Sequence, residues 1–149
     1  MEKGYYAPNI EEFHIGFEFE IFNNDTDKYD KHTYIEDDDV FGLEDCRDYY
    51  EDLRVKYLDE EDILSFPHMT KLEPMENPYA DNYLGVEMDP FQRYLLDINA
   101  LHRYEILMLH DRARSIINIS DMSGNHEFRG ECLNKSELKR LLFKIGAFK

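Results

Sequence analysis

The sequence predicts an α+β fold, an antiparallel β-sheet (a meander) with a C-terminal amphipathic helix packed on one face. Three observations carry that prediction. Residues 103–133 hold three β-prone runs separated by short polar breaks, which suits sequential antiparallel pairing. Phe13 to Phe22 alternates strictly between apolar and polar or small residues. Leu138, Leu141, Leu142 and Ile145 fall at i, i+3, i+4 and i+7, the spacing of one helical face.

In chain order, Phe13 to Phe22 reads as a half-buried strand. Phe13, Ile15, Phe17, Phe19 and Ile21 share one face, with Glu18 and Glu20 on the other. Leu53 to Leu58 is a second alternating run, with Leu53, Val55 and Tyr57 on one side. A short helix is expected from about Asp59, because acids favour a first turn, and Pro67 should end it. Residues 65–90 hold Pro67, Pro74, Pro78 and Pro90 yet keep several large apolar side chains, which predicts a long packed loop. Asp89-Pro90 has the form of an N-cap with Pro at N1. Residues 91–100 fit either the helix this would start or an extra strand. Arg103 to His110, Ser115 to Ser120 and His126 to Leu133 are the strands of the meander, the last two joined by a turn containing Gly124 and Asn125. Asn134 is the expected cap of the final helix, Glu137 the reciprocal member of a capping box, and Gly146 the stop.

The chain has 149 residues, the size of one domain, so a single domain over 1–149 is expected. It is acidic, with a formal net charge of −16, and the charge is uneven. Residues 1–90 hold 26 acids against 7 bases, whereas residues 91–149 hold 7 acids against 10 bases. That balance excludes a general binder of the nucleic-acid backbone, which needs a basic surface. No apolar run approaches the length of a membrane helix, and the first residues lack the apolar core of a secretory signal. With only Cys46 and Cys132, a disulfide framework is excluded and free thiols in a cytoplasm are expected.

Signature chemistry is missing from the sequence. The seven glycines are dispersed, and neither GxxxxGK[ST] nor GxGxxG occurs. HExxH, CxxC and GxSxG are also missing, so no cofactor and no metal is expected. Asp25, Asp27 and Glu36 match positions 1, 3 and 12 of a calcium loop. Tyr29 and Asp30 then stand at positions 5 and 6, where a ligand and a glycine are needed, and the preceding segment reads as strand. Glu18 and Glu20 share a strand face and could form a carboxylate pair, although a polar sheet face is the commoner meaning of that pattern. The six histidines are scattered and none is spaced as a ligand pair.

Three acidic clusters stand out: Glu36-Asp37-Asp38-Asp39, Glu44-Asp45 with Asp48, and Asp59-Glu60-Glu61-Asp62. They read as solvated surface, or as a surface that imitates a phosphate track and captures a basic groove. Nine of the eleven tyrosines lie in residues 1–90. Tyr anchors inside an acidic rim suit a basic protein partner, and Tyr49-Tyr50 beside Asp48 and Glu51 is the foremost such pair.

Four stretches carry a resemblance: IEEFHIGFEFE (10–20), LRVKYLDEEDILSF (53–66), EFRG (127–130) and NKSELKRLLFKIG (134–146). They resemble a set of uncharacterised small acidic proteins of Bacteroidota and their bacteriophages. The resemblance covers about a third of the chain, at both ends. It implies a bacterial or phage cytoplasmic context and an accessory role, and it assigns no activity or catalytic residue.

The expectation for function is a non-enzymatic acidic interaction protein, such as a phage accessory factor or inhibitor. It would bind a basic or nucleic-acid-binding host protein through Glu36, Asp37, Asp38, Asp39, Glu44, Asp45, Asp48, Tyr49 and Tyr50. Direct contact with nucleic acid or a membrane is not expected. The alternative is a small-ligand or nucleotide-binding protein (a sponge), or an enzyme with an unmarked site, in which Arg103, Arg112, Arg114 and Arg129 meet a phosphate or carboxylate. The sequence does not specify the oligomeric state.

Overall fold

The computed structural model describes residues 4–35, 53–75, 90–111 and 114–148. The chain gathers into two compact units, Met1–Tyr57 and Leu58–Lys149.

Four short strands build the first unit: β1 (Tyr5–Tyr6), β2 (Glu18–Asn23), β3 (Lys28–Thr33) and β4 (Leu53–Lys56). They pair antiparallel in the order β1-β4-β2-β3. Phe17, Phe19, Leu53 and Val55 are buried, with Tyr6, Phe13, Ile21 and Tyr34 packed against them. The strand expected from Phe13 starts only at Glu18. Its first half turns at Gly16, which takes φ +87°, and the Phe17 N–H returns to the His14 carbonyl. The turn leaves Ile15 63% exposed instead of on the apolar face. Phe13 still reaches the core, its ring centroid 5.0 Å from Phe17 and 5.2 Å from Phe19.

Strand β3 lies where the calcium-loop alternative needs irregular backbone. Asp25 and Asp27 sit in the β2–β3 turn. The Asp25 N–H is held by Asn23 Oδ1 at 3.0 Å, and Asp27 adopts φ +58°. Tyr29 and Asp30 are already in the ladder, opposite Phe22 and Ile21. A calcium loop is therefore ruled out at this segment.

In the second unit, α1 (Glu60–Leu64) leads to β5 (Met69–Met75), β6 (Phe91–Asn99), β7 (His102–Asp111), β8 (Arg114–Asp121), β9 (His126–Glu131) and α2 (Lys135–Lys144). The five strands form an antiparallel sheet in sequence order. Both the predicted meander and the start of a helix at Asp59 are present. Asp59 caps α1 through a full capping box with Asp62, and Ser65 closes the helix before Pro67. Within the 65–90 stretch expected as a loop, residues 69–75 form edge strand β5 instead. Residues 91–99 are a strand, so Asp89-Pro90 does not start a helix. The deciding factor is pairing on both sides. β6 lies between β5 and β7, where a period of two places Tyr94 and Leu96 in the core.

Alternation sets the core of this unit. Tyr94 and Leu96 on β6, Tyr104, Ile106 and Met108 on β7, and Ile117 and Ile119 on β8 are all buried in one cluster. Cys132, Leu138, Leu142 and Ala147 belong to the same cluster, with Leu141 and Ile145 packed against it. Asn134 Oδ1 accepts the Glu137 N–H at 2.9 Å, as a cap should. The Glu137 carboxylate reaches one residue further back than predicted and accepts the Leu133 N–H at 2.7 Å. Past Ile145, Gly146 takes φ +79°. The Gly146 and Ala147 N–H groups return to the carbonyls of Phe143 and Leu142, which is the pairing of a Schellman motif. Among the described residues, no helix is long and apolar enough to cross a membrane.

Two substitutions check this account by chemical denaturation. Asn134→Ala is expected to cost about 1 kcal/mol, the usual worth of a lost cap. Ile117→Ala is expected to cost roughly 2–5 kcal/mol through the cavity it leaves among β6, β7 and β8.

Candidate functional site

Glu36, Asp37, Asp38, Asp39, Glu44, Asp45, Asp48, Tyr49 and Tyr50, the residues singled out for partner binding, all lie outside the described residues. Arg112 does too, as does the side chain of Arg114, whose backbone opens β8 opposite Asp111.

On the second sheet, Arg103 and Arg129 occupy the face opposite the buried cluster but do not converge. Arg103 stands across from Asp97 and donates Nε–H to its Oδ1 at 2.8 Å. Arg129 is exposed and stands across from Asn118, which itself faces Leu107. The two arginines are therefore four residues apart along the strands and two strands apart across them, a separation of roughly 16 Å. Arg103 is turned to Asp97 and not toward Arg129, so the two guanidinium groups share no acceptor. On the neighbouring strand β6, Arg93 donates to Glu105 at 2.8 Å. Thus Arg93 and Arg103 each already have a carboxylate partner.

The same face holds a polar cluster that sequence reading did not single out. His126 Nδ1 lies 3.0 Å from Asn118 Oδ1 and 3.3 Å from Ser120 Oγ. One ring nitrogen faces both groups. A nucleophile relay needs the hydroxyl on one nitrogen and the orienting group on the other. The cluster therefore pins the start of β9 and does not activate Ser120. His126 and Asn118 are eight residues apart in sequence, so only the β8–β9 register reveals their contact.

In the first unit Tyr5 and Tyr29 pack on a cross-strand ion pair. Arg54 donates Nε–H to Glu20 at 2.5 Å, with side chains only 12% and 17% exposed. Its guanidinium lies 3.8 Å from the Tyr5 ring centroid and 3.6 Å from that of Tyr29. A planar cation between two rings and against a carboxylate is a cross-strand clamp. It holds β1, β2, β3 and β4 together, since each supplies one member. Glu20 is thus committed to Arg54, which removes the Glu18–Glu20 pair as an acid/base couple. Tyr6 donates to Glu12 at 2.5 Å and stacks on Tyr57 at 4.7 Å.

No family model, curated protein or solved structure matches this chain. The chemistry must be read from the groups themselves.

Among the described residues, no group of three His, Cys, Asp or Glu side chains could hold a metal ion. Of the acidic run 59–62, Asp59 and Asp62 cap α1, and Glu60 accepts from Lys71 at 2.9 Å and from the buried Tyr94 hydroxyl at 3.0 Å. Those two hydrogen bonds, Lys71 first, hold the Glu60 carboxyl below its ordinary value of 4.5. Burial, with Glu60 as acceptor, pushes the Tyr94 phenol far up, so it remains a donor. Cys132 is fully buried and its thiol is likewise raised, which makes it an inert core group.

Two outcomes test these roles. Arg54→Lys keeps the charge but loses the fork and the stacking, and should destabilise the first unit by about 1–2 kcal/mol in denaturant titrations. Because folding lowers the Glu60 value, its contribution is present above pH 4.5 and is lost as the pH falls through the folded value. Tyr94→Phe should move the Glu60 titration, followed by carboxyl-carbon NMR, upward toward 4.5.

Proposed function

We propose that this chain is a non-enzymatic acidic interaction protein that binds a basic protein partner through the acidic, Tyr-rich stretch from Glu36 to Tyr50. One observation carries the reading. Residues 36–52 hold nine acids against a single base, Arg47, within a chain of net charge −16. Such a concentration raises the local density of cations and steers basic partners toward it. The tyrosines at 49 and 50 supply large side chains able to anchor inside a charged rim. The role as a phage accessory factor or inhibitor of a host protein in the bacterial cytoplasm rests on the sequence resemblance. In this reading α2 covers one face of the five-stranded sheet, supported by the common cluster of Leu138 and Leu142 with Ile106 and Ile117. The two sheets then serve as scaffold.

The small-ligand or enzymatic alternative depends on converging arginines. It is weakened by the Arg103–Asp97 pair, which turns one of those arginines to a carboxylate of its own sheet.

The test is capture from host lysate at about 50 mM and about 500 mM salt, a range over which screening sharpens severalfold. A seven-site neutralised variant (E36Q, D37N, D38N, D39N, E44Q, D45N, D48N) and a Y49A/Y50A variant are run beside the native chain. The expected result is a stoichiometric basic protein that is retained at low salt, released at high salt and lost with both variants. Equal capture by the neutralised variant, or no basic protein with the native chain, overturns the reading.

A further inference from the structure

Helix α2 buries one face and leaves the other without a partner among the described residues. Leu138 and Leu142 lie in the core, with Leu141 and Ile145 packed beside them. Lys139, Arg140, Phe143 and Lys144 occupy the opposite face and are all exposed, Phe143 at 48%. The pairs 139–143 and 140–144 are each four residues apart, so the four side chains are neighbours on adjacent turns. None of the three cations has a hydrogen-bond or ion-pair partner among the described residues. Glu137, the only acid of α2, is turned back to the Leu133 N–H. By contrast, Arg54, Lys71, Arg93 and Arg103 each meet a carboxylate of the fold.

The ring at the centre of this face is buttressed. Phe143 lies 6.2 Å from Phe148 between ring centroids, and Phe148 stacks on the core residue Phe66 at 6.1 Å. Lys135, one turn before Lys139, sets its ammonium 5.8 Å from the Phe66 ring. A row of three rings thus runs from the core to solvent and ends on Phe143. A large ring that is anchored yet half exposed, with cations around it, has the form of an interface anchor. The helix holds four bases against one acid within a chain of net charge −16. The helix dipole accounts for Lys144 alone, which falls in the last turn.

We propose that this face of α2 is a docking site for a short acidic segment of a partner protein, one that carries an apolar side chain among its carboxylates. The carboxylates accept from Lys139, Arg140 and Lys144, with Arg140 offering a two-pronged fork, and the apolar side chain covers the Phe143 ring. Charge complementarity selects the class of partner. At physiological salt a charge is felt over about 8 Å, so a segment that touches only the helix meets its cations and is screened from acids elsewhere on the chain. A duplex or an anionic membrane presents a far wider array of phosphates, which a chain of net charge −16 repels. The site is independent of the acidic-stretch reading, because it uses no residue of 36–52.

Fluorescence anisotropy of a labelled peptide, EDDLEEFDDLEE, titrated with the full chain tests it. A second peptide, EDDGEEGDDGEE, keeps the acids and lacks the apolar side chains. The native chain should bind the first peptide saturably at about 50 mM salt and release it at about 500 mM. The variant K139Q/R140Q/K144Q should weaken binding roughly tenfold or more, and Phe143→Ala roughly fivefold, the worth of covering the exposed part of a ring. The glycine peptide should bind the native chain as weakly as the first peptide binds Phe143→Ala. The control K28Q/K31Q removes two exposed cations of β3 and should leave binding unchanged. All the substituted side chains are exposed, so circular dichroism should stay native. The proposal is overturned if the native chain does not bind the first peptide, if K139Q/R140Q/K144Q binds it equally well, or if K28Q/K31Q loses as much. Binding to vesicles of equimolar phosphatidylserine and phosphatidylcholine, or self-association in sedimentation velocity, that K139Q/R140Q/K144Q abolishes would assign the face to a lipid surface or a second copy, and overturns it too.

Discussion

The second unit depends on one constraint: a period-two alternation that must place every large apolar residue of β6, β7 and β8 on the same face. Tyr94, Leu96, Ile106, Met108, Ile117 and Ile119 meet in a single layer because the ladder aligns them, Tyr94 opposite Ile106 and Ile106 opposite Ile119. A slip of one residue in any pairing would send that strand's apolar side chains to the polar face and bring Glu105 or Asn118 inward. Burying a carboxylate without a partner costs far more than the burial of one aliphatic side chain returns, so the register is strongly specified. The short connection between β6 and β7 and the Asp121–Asn125 turn follow from that register. In the latter turn, the Asp121 carboxylate collects the N–H groups of Ser123 and Asn125 at 2.9 Å each.

The first unit solves the same problem with far less aliphatic material. Among the described residues its buried core is Phe17, Phe19, Leu53 and Val55, and further aromatic rings pack against it. Phe13, Phe17 and Phe19 lie within about 6 Å of one another at tilted and stacked angles. On the other face, Arg54 ties four strands through two rings and one carboxylate. The fork geometry and weak hydration of a guanidinium allow this use of a cation in a half-buried place, which an ammonium would not tolerate as well.

These arrangements give the protein's charge a direction. Arg54, Arg93 and Arg103 are engaged with Glu20, Glu105 and Asp97, so these cations neutralise acids inside the folded units. The acids of 36–52 outnumber their single local base nine to one, and the net charge concentrates there by composition alone. An excess of one sign on a single stretch directs encounters with the opposite sign, and does so without any fixed pocket.

Where a local pattern sufficed, sequence and structure agree. The meander of residues 102–131, the capped helix ending at Gly146 and the short helix after Asp59 were all legible, because alternation, caps and turn residues are written in consecutive positions. Residues 91–99 were ambiguous because a short apolar run fits two periods, and only pairing with β5 and β7 on both sides selects the strand. The turn at Gly16 was hidden by an alternation that looked continuous. Its choice depends on the Gly16 N–H finding the Tyr34 carbonyl, eighteen positions away. Likewise, the acidic stretch announced itself in composition, whereas the dispersal of Arg103 and Arg129 and the commitment of Glu20 to Arg54 did not. The sequence by itself determined which residues prefer strand, helix or turn and where the charge lies, since these depend on neighbours along the chain. Only the tertiary structure decided which side chains meet, because contacts between strands are set by register, and register minimises buried polar groups over the whole sheet at once.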